Sequence, residues 1–183
     1  LGAIWSSCSP DFGEPSILNR FSQIEPTCLI AADGYFYKGK ETSCIEKINV
    51  ILEKSPSISH SIIVPFINEE FETTNDDQVS YQTILKNNSP EPLTFEALPF
   101  DYPLYILYSS GTTGQPKCIV HGAGGTLIQH KKEHMLHGDL RDGDKIFYYT
   151  TCGWMMWNWL VSALSVGATI VLYEGNPFSP SND

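Results

Sequence analysis

Two periods of apolar residues alternate along the chain. Short, densely apolar runs read as strands: "GAIW", "CLIAA", "YFY", "SIIVPF", "LYILY", "KCIVH", "KIFYYT" and "TIVLY", the first of them buried. Between them, apolar positions recur at helical spacing. "SPDFGEPSILNRFSQIEP" predicts a turn and then a helix with Ile17, Leu18, Phe21 and Ile24 on one face and Pro26 beyond its end. "TSCIEKINVILEKS" predicts an amphipathic helix with Ile45, Ile48 and Leu52 on one stripe and Thr42 or Ser43 as N-cap. "VSYQTILK", "GGTLIQHKKEHMLHGDL" and "WMMWNWLVSALSV" read as further helices, the last stopped by Gly167. Strands alternating with helices predict an α/β fold of mixed or parallel sheets flanked by helices.

The pattern lapses between Asn68 and Pro103. "NEEFETTNDDQ" is acidic and polar, and "NNSPEPLTFEALPFDYP" carries four prolines. A solvated loop explains the acidic run better than a metal site. The composition, 42% hydrophobic and 17% charged over 183 residues, is that of a globular domain able to bury a core. No apolar run has the length of a membrane span, and the start lacks both a Met and the design of a signal peptide. The simplest expectation is a piece of a longer protein. A formal net charge of −10 argues against a nucleic-acid partner, and it requires any anionic ligand to be held by local groups. The five cysteines are odd in number, widely spaced and without a C-x-x-C pair, which points to reduced thiols in the cytosol.

One loop carries chemistry. In "YILYSSGTTGQPKCIVH" an apolar strand runs into Ser109, Ser110, Gly111, Thr112, Thr113, Gly114 and, past Gln115 and Pro116, Lys117. Glycines permit positive φ and close approach to a ligand, so successive amides can converge on an anion. The hydroxyls add donors that rotate to suit phosphate oxygens, and Lys117 adds a point charge. A Thr oxygen, that of Thr112, is the one candidate for contact with Mg²⁺. The Walker A spacing is absent. A surface turn has a similar composition, but strand, loop, Lys, strand and a Gly-rich helix start follow the order of a phosphate cradle at a sheet end.

"ILYSSGTTGQPK" resembles the signature loop of the adenylate-forming enzymes, which include acyl-CoA synthetases, luciferases and peptide-synthetase adenylation domains. "WSSCSPDFG", "CIVHGAGGTLIQHKKEH" and "GWMMWNW" look like the acetoacetate-activating branch of that family, and the resemblance covers nearly the whole chain. It implies that residues 1–183 are an incomplete N-terminal adenylation domain, without the small C-terminal domain. It also implies ATP, Mg²⁺, CoA and acetoacetate as ligands: the carboxylate attacks the α-phosphorus of ATP, and the CoA thiol then displaces AMP. On this reading Ser109 to Gly114 and Lys117 line the phosphate loop, with Thr112 and Lys117 in catalytic roles. Trp154, Met155 and Met156, after Gly153, become the acyl-site candidates. Tyr37, Lys38 and Lys40 in "YFYKGKE" are weaker candidates for CoA, because the relatives carry Arg there.

Other readings stay open. Trp157, Trp159 and Leu160 fit a plain core helix better than a site. His130, His134 and His137 share one helical stripe, and a polar helix face accounts for them better than a metal site. His121 lies near enough to the loop to shape an active-site floor. A ligase for another short carboxylate such as acetate or propionate, or a nucleotide-binding chain without catalysis, are the alternatives. The family's later elements are absent from these residues, so the chain alone is expected to complete neither half-reaction.

Overall fold

The computed structural model describes residues 1–69, 71, 73, 77–109 and 114–177. Its strands are β1 (Trp5–Ser6), β2 (Cys28–Ala32), β3 (Gly34–Tyr37), β4 (Lys40–Ser43), β5 (His60–Val64), β6 (Gln78–Ser80), β7 (Pro103–Tyr108), β8 (Cys118–Gly122), β9 (Lys145–Ile146) and β10 (Thr169–Ile170). Its α-helices are α1 (Glu14–Phe21), α2 (Ile45–Lys54), α3 (Tyr81–Asn87), α4 (Ala123–Lys132) and α5 (Met155–Ser162). The chain forms two compact units, one from Leu1–Ser9 with Leu93–Tyr173, the other from Pro10–Pro92 with Glu174–Asp183. Among the described residues no helix is long and apolar enough to cross a membrane.

The second unit holds a parallel sheet in the order β2-β5-β6. β2 pairs with β5 from Cys28↔His60 to Ala32↔Val64. Cys44, Ile48 and Ile63 are its buried centre, with Leu29, Ala31 and Tyr35 packed around them. Burying a side chain such as Ile63, which is fully enclosed, contributes about 1.5–3 kcal/mol. The Cys44 thiol is pushed up from its ordinary pKa by burial, against the pull of nearby Lys47.

A buried carboxylate ties this unit together. Asp33, just past β2 and only 1% exposed, accepts N–H bonds from Phe66 (2.8 Å) and Ile67 (3.0 Å) on Oδ1 and from Asn68 (3.0 Å) on Oδ2. Its own N–H donates to Val64 O and its carbonyl accepts from Cys44 N, so it joins the end of β5 to the start of α2. Gly34 follows because a Cβ there would run into Ile67 and the Thr42 carbonyl.

In the first unit β7 is the central strand. It pairs in parallel with β1, Trp5↔Tyr105, and antiparallel with β8, from Pro103↔Gly122 to Tyr108↔Cys118. Tyr105 and Leu107 face inward and are buried. β9 and β10 form a short parallel pair. The helix begun by α4 continues into a π turn at Glu133–His137, and α5 runs into a 3₁₀ turn at Ala163–Val166, ended by Gly167 at φ 80°.

Several expectations need correcting. "GAIW" is not a buried strand: only Trp5 and Ser6 pair, at a sheet edge, and Trp5 is half exposed. α1 ends at Phe21, so Ile24 lies beyond it, while Ile17 and Phe21 are buried. The N-cap of α2 is Cys44, because Thr42 and Ser43 are spent on β4. The Ser43 hydroxyl still accepts the Ile45 N–H at 3.3 Å. Ile51 joins Ile48 as the buried pair of α2.

An Asp33→Ala substitution should strand the amides of Phe66, Ile67 and Asn68 and cost about 3 kcal/mol. Urea denaturation followed by far-UV circular dichroism should show the loss, and hydrogen exchange should accelerate at those three amides. Unchanged exchange there would count against the bridging role of Asp33.

Candidate functional site: a hairpin loop and a helix end

The loop that stood out in the sequence connects β7 to β8, and the described residues show how its neck is closed. Ser109 N–H donates to Lys117 O at 3.0 Å, and Lys117 N–H donates back to Ser109 Oγ at 3.2 Å. This extends the Tyr108↔Cys118 pair by one step, with a side-chain oxygen replacing the second carbonyl. Gly114 has φ 123°, and nothing lies within 4 Å of where its Cβ would stand. That conformation is open almost only to glycine. Gly114 and Lys117 are exposed and Ser109 half-buried. Ser110, Gly111, Thr112 and Thr113 lie outside the described residues.

The acyl candidates lie at the start of α5. Trp154 is its N-cap, in extended conformation, and its N–H reaches back to Thr151 O at 3.2 Å. Trp154 is 58% and Met155 45% exposed, while Met156 is half-buried. Further along the helix Leu160 is buried and Trp157 and Trp159 are half-buried. The strand of chain before this helix is pinned: Ser7 Oγ donates to Cys152 O at 2.5 Å and Cys152 Sγ donates to Cys8 O at 3.3 Å.

Tyr37, Lys38 and Lys40 belong to the second unit, on the β3–β4 hairpin. All three are exposed, and the turn takes positive φ at Lys38 (50°) and Gly39 (72°), the backbone of a tight two-residue hairpin. Lys38 Nζ lies 5.6 Å from the centre of the Tyr37 ring, a cation over an aromatic face.

The histidine stripe is not a polar face. His130 is 7% exposed and His134 fully enclosed; His137 alone faces water, where its Nδ1 meets Glu133 at 2.8 Å. A helical stripe of three polar residues has no hydropathy contrast to show which way it faces. Among the described residues no three His, Cys, Asp or Glu side chains converge to hold a metal ion. His121 is half-buried and stacks on Tyr105, ring centres 5.0 Å apart. Hydrogen bonds from Lys132 and His137 hold the Glu133 carboxyl below its ordinary range. Burial lowers the pKa of His130, helped by neighbouring His134 and His121 and opposed by Glu133.

The family described as AMP-binding enzyme matches the chain over residues 1–183. The chain belongs to that family. It is 52% identical to the acetoacetyl-coenzyme A synthetase of Rhizobium meliloti over 185 residues, which cover all of this chain and 28% of that protein. It is 45% identical to a malonamoyl-CoA synthetase of Penicillium aethiopicum, over 97% of this chain and 26% of that protein. The solved structure of the acetoacetyl-CoA synthetase from Streptomyces lividans shares the fold at a TM-score of 0.91 and 46% identity, over 98% of this chain and 27% of that one. The chain thus spans roughly a quarter of the length of these relatives.

Of two residues that order this chain, Asp33 escaped the sequence, and His134 was named there only as part of a polar stripe. An isolated Asp between two short strands looks like any turn residue, and only the register of β2 against β5 makes it a bridge. His130 gives a test of burial. Its folded pKa is lowered, so the unfolded state binds the proton more tightly; stability is full above the ordinary value of 6.5 and falls as pH drops below it. Urea midpoints followed by tryptophan emission should therefore decline from pH 7 to pH 5 by more in the native chain than in His130→Leu. Parallel pH profiles would reject this.

Proposed function

We propose that this chain supplies the triphosphate loop and the acyl-facing helix end of an AMP-forming acid–CoA ligase acting on acetoacetate. The observation that carries the reading is the hairpin neck. Ser109 and Lys117 lock the two ends of the loop together at the end of β7, and the chain beyond is open at Gly114. Donors fixed in advance stabilise developing phosphate charge without reorganising during the reaction.

In the first half-reaction a carboxylate oxygen attacks the α-phosphorus of ATP, and pyrophosphate leaves with the electron pair of the broken P–O bond. Ser109, Ser110, Gly111, Thr112, Thr113 and Gly114 would offer amides and hydroxyls to the β- and γ-phosphates, and Lys117 would add its charge. Mg²⁺ would arrive with the nucleotide, and Thr112 is the residue of this loop we assign to touch it. In the second half the CoA thiolate attacks the acyl carbonyl and AMP departs. Tyr37, Lys38 and Lys40 would meet the nucleotide end of CoA, an exposed cation–aromatic pair suited to a phosphate and a purine.

Trp154, Met155 and Met156 would shape the acyl pocket. Met packs adaptably around a short, bent acid. The likeness to a malonamoyl-CoA synthetase keeps a second acid in view, since malonamate has acetoacetate's length with an amide in place of the methyl ketone end. Completion of either half-reaction needs more than these 183 residues, which span about 28% of the Rhizobium relative.

In the full-length protein, Thr112→Val should lower acetoacetate-dependent ATP–pyrophosphate exchange by about 10²-fold. Exchange at the native rate would remove Thr112 from the phosphate site. Running the same assay on the native protein with acetoacetate, malonamate, acetate and propionate ranks the acids, and a preference for acetate or propionate would overturn the acetoacetate assignment.

A further inference from the structure

The π turn at Glu133–His137 holds the one fully enclosed histidine among the described residues. Its N–H···O pattern is wide: Gly138 N–H returns to Glu133 O at 2.9 Å, and Leu140 N–H to His134 O at 2.8 Å. Such turns interrupt α-helices rarely and often at functional positions, because the extra residue re-aims the side chains around it. Here the side chain concerned is His134, and what it meets is α5.

His134 Nε2 is 2.9 Å from the Trp159 carbonyl and 3.0 Å from Ser162 Oγ. A carbonyl can only accept. Ser162 gives its own proton to that same carbonyl at 2.6 Å, so its oxygen can accept too. Both partners therefore assign the proton to Nε2. Nδ1 is buried without a partner. The imidazole also stacks on the Trp159 ring, centres 4.5 Å apart, while Tyr148 meets that ring edge-on at 6.0 Å. The imidazole thus grips α5 one turn past its acyl-facing start, through one donor and one ring face.

We propose that His134 is a positioning residue for the carboxylate substrate: its Nε2–H fixes the height and rotation of α5, and through it the placement of Trp154 and Met155. The Ser7–Cys152 bond fixes the chain entering the helix, and His134 fixes the helix itself, so the exposed end between them is held from both sides. A displacement of about 1 Å at such an end is enough to weaken productive binding of a small acid. This rests on the acyl-site reading of Trp154 and Met155.

The test is steady-state kinetics of the full-length protein with three substitutions. His134→Leu keeps apolar bulk and removes the donor. His134→Gln carries its amide nitrogen to where Nε2 stood, and His134→Asn carries it to where Nδ1 stood. The Leu and Asn variants should raise KM for the carboxylate about tenfold and leave KM for ATP within about twofold, with Gln restoring the native value. Equal losses for both substrates, or equal behaviour of Gln and Asn, would overturn the proposal. Should the Leu variant not fold, the Gln and Asn pair still decides. Met155→Ala separates the two levels. If it leaves the ranking of acids unchanged, the acyl-site reading falls and this proposal with it. If it changes the ranking while Asn at position 134 leaves carboxylate KM native, the positioning role alone is lost.

Discussion

Ser, Thr and Gly side chains offer little apolar surface to pack, so for a segment of that composition the strands at its ends are the available constraint. In this chain that constraint is one pair of hydrogen bonds, Ser109 with Lys117, just past the last paired residues of the β7–β8 hairpin. The pair has strength only because β7 is anchored on both edges, by β1 in parallel and β8 antiparallel, with Tyr105 and Leu107 turned into the core. Ordering a polar loop costs about 1–2 kcal/mol of backbone entropy per residue, and a neck closed in advance lowers the part left for a ligand to supply.

The same logic governs α5. Its first residues are exposed and apolar, which is a costly way to present Trp154 and Met155 unless something is meant to cover them. On the positioning proposal their placement depends on two other groups: part-buried Ser7 on the preceding chain and fully enclosed His134 beneath the helix. A buried imidazole with one unpartnered nitrogen is an expensive component for a core. Leu or Met would fill the volume at lower cost, so what the imidazole adds is its single directed donor.

What the sequence made legible follows the strength of each signal. Periodicity located every helix named from it, because a helical stripe repeats over several turns and survives a misplaced end. Strand ends were less legible: "KIFYYT" and "TIVLY" yield only Lys145–Ile146 and Thr169–Ile170, since pairing needs a partner strand as well as apolar residues. The cap of α2 moved from Thr42 or Ser43 to Cys44 for the same reason, the two hydroxyl residues being claimed by the β3–β4 hairpin. The loop motif stood out as a candidate because its composition contributes little to packing. The contacts of Asp33 and His134 were unreadable, since each acts on backbone groups brought near only by the fold.

If the proposed triphosphate loop is correct, an acidic chain must hold its polyanion by local groups at short range: amides, hydroxyls and the Lys117 ammonium. With 21 acidic and 11 basic residues the far field repels a triphosphate, and at physiological salt that field is screened within about 8 Å. Amides and hydroxyls act only inside such a distance, where their energy falls off steeply and the repulsion from distant carboxylates is already weak. The arrangement also limits what binds. On the proposed reading a ligand gains little by being merely anionic; it has to bring its oxygens to a loop whose neck is set by Ser109 and Lys117. Discrimination then rests on geometry, which is the property that a β-hairpin clamped at Ser109 and Lys117 is able to supply.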